Sequence, residues 1–376
     1  MSVPIQFGLY APVPHVTAGS KEIEQSIAGA LSPLPPFEVD PAFALAKEIL
    51  CAADRAGFDI ILFAERHLGP DFEAWILAAA VSSWTTRIRT MTAVHPGLWH
   101  PTLVAKMAAS LDRLTRGRTA INLVTGWNLE EHRMFGGDAL LENDDRYIRA
   151  EEFVHILRGM WSTSPFSYRG RFYQVEEAQL LLRPASAGLP EIFTASRSPR
   201  GLDMVARTGD WWFLDYDKNA QTVQQVMDSL RQSIDVMNEK AARCGRKVHY
   251  AFNPFIAFGD SVAGAQKRAT QLLASNGSEA EVQKIMARIV APAMQAGCVG
   301  PPAQVREQLL AYRDMGIELF LFKLVPSQEQ IAMVAEEIIE PLRRGELWRQ
   351  STSDLPRTAP LSDDAVSRET IYDSRG

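Results

Sequence analysis

Eight short apolar runs alternate with helical segments along this chain, at residues 4–10, 59–63, 88–94, 119–124, 191–195, 210–214, 248–258 and 317–324. Each is rich in β-branched or aromatic residues and bounded by Gly, Pro or polar residues, which is the pattern of a buried strand. The intervening stretches 41–57, 75–84, 101–114 and 144–161 carry apolar residues at helical spacing. Strand and helix in strict alternation call for parallel strands joined by helical crossovers. Eight such units, spread over more than about 250 residues, predict a (β/α)₈ TIM barrel with insertions rather than an open doubly wound sheet. No GxGxxG motif follows the first run, which counts against a dinucleotide-binding sheet.

The insertions are legible as breaks in the alternation. Residues 11–40 bear Pro and Gly with little periodicity and read as a long loop after the first strand. Residues 166–173 read as a β-hairpin turning at Arg169-Gly170. Residues 260–303 form a helical stretch before the last strand, in the place of a lid, and 351–376 is a polar tail, flexible or wrapped on a neighbouring subunit. Residues 1–350 are therefore expected to form a single barrel domain.

Charge and cysteine content narrow the function. Net charge is −6 with basic residues scattered, so nucleic acid is not expected as a partner. Cys51, Cys244 and Cys298 show no metal or redox spacing, no leader is read at the amino terminus, and no apolar run approaches the roughly 18 residues that span a bilayer. A cytoplasmic enzyme without metal is the expectation. GxSxG, HExxH and Walker motifs are absent, so redox or oxygen chemistry would need an organic cofactor.

In such a barrel the carboxyl ends of the strands share one face, where function is built. That face would gather Glu65, Arg66 and His67 after the second run, His95 and His100 around the third, Asn122 and Trp127 after the fourth, and Ser196 and Ser198 after the fifth. Asn122 lies within a buried run, so its amide either ties backbone together or meets a ligand. Ser198 precedes Pro199 and reads as a helix N-cap, a geometry that can equally hold a phosphate. Arg146 and Tyr147 open a helix and could be a surface cation and a packed ring. Glu131 and His132 read locally as a solvated helix face. Trp99, Trp127, Trp211 and Phe255 would wall an apolar substrate site.

The order of motifs Glu65-Arg-His67, Leu111-Asp-Arg-Leu-Thr-Arg-Gly-Arg118, Asn122-Leu-Val-Thr-Gly-Trp127, Asp144-Asp-Arg-Tyr147, Tyr168-Arg-Gly-Arg-Phe-Tyr173 and Ser196-Arg-Ser198 resembles the bacterial-luciferase-like flavin monooxygenases. The Asn-Leu-Val-Thr-Gly segment is most similar to the branch containing alkanesulfonate, pyrimidine and dimethylsulfone monooxygenases. The resemblance implies a two-component enzyme that takes reduced FMN from a separate NAD(P)H-dependent reductase. It would react with O₂ to form a flavin peroxide and oxygenate a small organic compound, an organosulfur species or a heterocycle. Positions matching flavin contacts are Glu65, Arg66, Asn122, Glu131, Arg146, Tyr147 and Ser198, and Ser196 is added from its place beside the same helix. His67, or Arg66 at the position of the luciferase-type histidine, would donate to the distal oxygen of the peroxide. Asn253 and Phe255 replace the Arg and His of the sulfonate enzyme, so a sulfonate is not expected, and Asn253 joins His67 and Arg66 as a catalytic candidate. The alternatives are an F420-dependent hydride transferase of the same superfamily and a flavin-binding protein without turnover. A homodimer or homotetramer is expected.

Overall fold

A computed structural model describes residues 4–12, 38–67, 71–126, 129–135, 143–185, 188–217, 219–274, 279–325 and 327–345. Most of the 11–40 loop, Trp127 and the 351–376 tail thus lie outside the described residues.

The chain runs β1 Gln6–Tyr10, α1 Pro41–Ala56, β2 Ile60–Phe63, α2 Ala74–Ser82, β3 Arg89–Val94, α3 Pro101–Thr115, β4 Thr119–Leu123, α4 Leu129–Met134 and α5 Asn143–Ser162. It continues through β5 Phe166–Arg169, β6 Gln174–Ala178, β7 Glu191–Thr194, α6 Pro199–Thr208, β8 Trp211–Leu214, α7 Val223–Arg243, β9 His249–Phe252 and β10 Ala257–Phe258. The last part holds α8 Val262–Ala274, α9 Glu279–Ile285, α10 Ala291–Gln295, β11 Val299–Gly300, α11 Pro302–Asp314, β12 Ile317–Phe322 and α12 Gln328–Val334.

Eight of these strands close into one parallel barrel in the order β1-β12-β9-β8-β7-β4-β3-β2. The expected (β/α)₈ barrel is the observed one. β5 and β6 form an antiparallel hairpin outside it, but Arg169 pairs with Gln174, so the turn is 170–173 and the second arm runs to Ala178, beyond the 166–173 read from the sequence. The seventh barrel strand is shorter than the sequence pattern: β9 stops at Phe252, before Asn253-Pro254. Proline offers no N–H to a ladder. Beyond it, β10 leaves the barrel to pair with β11, and Ala265, Val290, Ala293 and Val299 pack with Phe255 and Val325 in a separate small core.

Alternation along each strand sorts side chains into two shells. Ile60, Leu62, Met91, Phe193, Trp211, Phe213, Leu319 and Leu321 fill the barrel interior. Their neighbours Ile61, Phe63, Ile121, Ile192 and Phe320 face the helices. Gly8 is required where β1 crosses this interior, because a Cβ would lie 2.6 Å from Ile60 Cγ2 and 2.7 Å from Leu321 Cδ1.

Local signals set the helix ends. Asp40 caps α1 by accepting from the N–H groups of Ala42 and Phe43, Pro41 begins it, and Gly57 ends it at φ 88°. Thr222 and Gln225 form a reciprocal capping box on α7. Asp54, at the end of α1, accepts from the N–H groups of Thr86, Arg87 and Ile88 and so pins the entry to β3.

Candidate active site at the carboxyl end of the barrel

The inward parity of the strands continues past the apolar plug. Two residues beyond Ala120 comes Asn122, beyond Phe193 comes Ala195, and beyond Ala251 comes Asn253, while Tyr10 ends β1 in the same shell. These residues line an open cavity of about 330 Å³ at the carboxyl end, with Leu62, Phe213, Gly126 and Arg146. Asn122 is only 9% exposed, and its Oδ1 has no hydrogen-bond partner among the described residues. A buried amide oxygen without a donor is costly unless a ligand supplies one.

Arg146 carries the site sideways from this cavity. Its guanidinium donates to Gly126 O at 3.2 Å and to the Tyr147 hydroxyl at 3.5 Å. The Ser196 hydroxyl donates to Tyr147 Oη at 3.3 Å, and Ser198 Oγ accepts from Gly201 N at 3.1 Å as the N-cap of α6. Burial alone would raise the Tyr147 pKa, but hydrogen bonds with Ser196 and Ser198 and the charge of Arg146 outweigh it and lower the value. Gly201 is needed for this packing: a Cβ there would overlap the Ser196 hydroxyl. Hydroxyls, a helix amino end and a guanidinium thus converge in a cradle suited to a phosphate. Arg197 pairs with Asp215 and is half exposed.

Glu65, Arg66, His67 and Glu131 form a second group on the rim after β2. Arg66 Nε lies 3.1 Å from Glu131 Oε1, and His67 Nδ1 lies 3.3 Å from Glu65 Oε1. Glu65 Oε2 accepts from Ala74 N at the start of α2. Burial, then repulsion from Glu73, Asp71 and Glu131, push the Glu65 carboxyl up to about 8 despite the Ala74 N–H. Burial also lowers the His67 imidazole, against the pull of Glu131 and Glu73. Near neutral pH the Glu65–His67 contact therefore joins a neutral acid to a neutral ring, not two ions. His67 Nε2 is buried with no partner among the described residues.

Two readings of the sequence need correction. Glu131 and His132 do not lie on a solvated face; they are 1% and 2% exposed. Trp211 does not wall the cavity, because it starts β8 at the amino end, stacked on Phe193 with its indole N–H donated to Glu191. Phe213, one inward step further along the strand, takes that place. Trp99 is half-buried against the outer core, and Phe255 lines a separate cavity of about 70 Å³ between β9 and the 260–303 insertion. Tyr10 was not singled out from the sequence, although its place at the last inward position of the first strand was the available signal. No cluster of three or more metal-ligand side chains occurs among the described residues, and none of their helices is long and apolar enough to cross a membrane.

The profile of the family described as luciferase-like monooxygenase matches residues 6–319. This chain belongs to that family. Among luciferase-like relatives, an FMNH₂-dependent dimethylsulfone monooxygenase of Pseudomonas fluorescens (strain Pf0-1) is 30% identical over 84% of this chain and 90% of its own length. The Pseudomonas putida protein of the same description is 28% identical over 93% of this chain and 99% of its own. A solved long-chain alkane monooxygenase of the same fold superposes with a TM-score of 0.70 at 18% identity, covering 92% of each chain.

Proposed function

We propose that this protein is a two-component, reduced-FMN-dependent monooxygenase that oxygenates a small organosulfur compound with O₂, fed by a separate NAD(P)H-dependent flavin reductase. The observation that carries the reading is the buried Asn122 Oδ1, without a partner among the described residues, beside a cavity that Arg146 also lines, with Arg146 hydrogen-bonded to Tyr147 and Tyr147 to Ser196. A planar heterocycle bearing N–H donors and a phosphorylated tail has the chemistry this donor and acceptor set lacks. FMN fits. The two dimethylsulfone relatives, described as FMNH₂-dependent, support the same cofactor and the organosulfur class.

Asn122 would take the ring edge, and Tyr147, Ser196, Ser198 and the first turn of α6 would take the phosphate, with Arg146 spanning the two. When bound, reduced FMN supplies the electrons that activate O₂. The residues of the chain then bind, orient and exclude water. His67, beside Glu65 on the rim, would serve as a donor toward a developing negative oxygen. Arg66, oriented by Glu131, adds positive charge on the same rim. Leu62, Phe213 and Ala195 line the cavity with apolar surface that limits water beside the reacting atoms.

The test pairs the purified protein with a flavin reductase, NADH and FMN under ¹⁸O₂. Label from O₂ in the product of an organosulfur substrate, lost in Asn122→Leu together with FMN affinity, supports the assignment. Hydride transfer from reduced F420, with no oxygen incorporated from any substrate, would overturn it.

A further inference from the structure

Tyr10 and Asn253 meet over the apolar plug of the barrel. The Asn253 Nδ2 donates to the Tyr10 hydroxyl at 3.1 Å, joining the carboxyl ends of β1 and β9 across the β12 strand that lies between them. Both side chains line the 330 Å³ cavity, with Leu62 and Phe213 as their apolar neighbours there. Proton counting decides what this pair can recognise. With Asn253 donating, the Tyr10 O–H and one further amide N–H remain; with the amide reversed and Tyr10 donating, both amide N–H groups remain. In either arrangement the pair holds surplus donors. No other partner of either side chain occurs among the described residues.

Charge sharpens the point. Arg146 is the only charged side chain lining this cavity among the described residues, and its guanidinium is turned toward Gly126 O and Tyr147. The Tyr10–Asn253 end offers neutral donors and apolar walls. A full negative charge placed there would lose its hydration without a cation to replace it, whereas a neutral S=O or C=O oxygen needs only one or two hydrogen bonds.

Resting on the monooxygenase reading, we propose that Tyr10 and Asn253 are the specificity-determining pair, selecting a small uncharged substrate by donating to its sulfonyl- or carbonyl-type oxygen and rejecting the corresponding anion. The site takes the oxygen at the donor pair and the alkyl groups against Leu62 and Phe213. Burial keeps the Tyr10 phenol protonated as a donor, with its pKa above the ordinary value, although the Asn253 hydrogen bond pulls the other way.

Calorimetry on the FMN-loaded full chain tests this with three probes: dimethyl sulfone, dimethyl sulfide, which lacks the oxygen, and methanesulfonate, which carries a charge. Wild type is expected to bind the sulfone at least about tenfold tighter than the other two, the worth of roughly one hydrogen bond to a buried group. Tyr10→Phe should narrow the sulfone-to-sulfide ratio by about tenfold. Asn253→Asp, isosteric but an acceptor that captures the Tyr10 proton, should abolish the preference. A strut that only braces the barrel would lower the affinity of all probes together and leave that ratio intact, which overturns the proposal. So does tighter binding of methanesulfonate. Selective sulfone binding without incorporation of oxygen from O₂ would retain the recognition pair while refuting the monooxygenase reading; oxygenation of methanesulfonate alone would do the reverse.

Discussion

Replacing Glu65 with Gln should remove a pH-dependent cost of folding. The Glu65 carboxyl is raised from 4.5 to about 8, first by burial and then by Glu73, with Asp71 and Glu131 adding to it and the Ala74 N–H opposing. Below about pH 4.5 both folded and unfolded chains hold this proton, and the group costs nothing. As pH rises the unfolded chain releases it and the folded chain does not, so stability declines until about pH 8. At 1.36 kcal/mol per pH unit the full window is worth up to about 5 kcal/mol. Gln reproduces the neutral acid's bonding: its oxygen can accept from Ala74 N and its amide can donate to His67 Nδ1. Glu65→Gln should therefore match wild type near about pH 4 and exceed it progressively toward about pH 8. Urea midpoints followed by tryptophan fluorescence, with unchanged m-values, read the difference directly. Parallel pH profiles for the two proteins would refute the reasoning, because they would mean that Glu65 ionises in the folded state as it does in water.

Three further outcomes follow from packing and hydrogen bonding. Asp54→Ala should cost about 2–3 kcal/mol in urea denaturation, since the N–H groups of Thr86, Arg87 and Ile88 lose their acceptor. Burial alone would raise the Asp54 pKa, but those N–H donors and Arg87 hold it below its ordinary 3.8, so this contribution is present above that pH and fades as acid titrates the folded carboxylate. Gly8→Ala places a methyl against Ile60 and Leu321 and should lower stability by about 1–3 kcal/mol, read as an earlier thermal transition. Gly201→Ala would displace the Ser196 hydroxyl from the cradle, and fluorescence titration should show weaker FMN binding with riboflavin, which has no phosphate, bound as before.

Reading the chain alone went furthest where one residue's neighbours in sequence are also its neighbours in space. The apolar runs and Ser198 before Pro199 act within a strand or a turn, and both were legible. Asn122 was legible too, because an amide in a buried run demands a partner whatever the surroundings. Glu131 and His132 were not: a short polar helix looks solvated until Arg66, arriving from a different strand, pairs with Glu131. Trp211 and Phe213 differ by one inward step, and only the height of each along the closed barrel decides which meets the cavity. Tyr10 and Asn253 are 243 residues apart, so nothing local could pair them. The sequence by itself determined the strands, the caps and the barrel, because hydrophobic period and backbone chemistry are local. Closure of the sheet decided the rest, since it alone sets which ends meet, what water can reach, and therefore how far burial raises the Glu65 carboxyl.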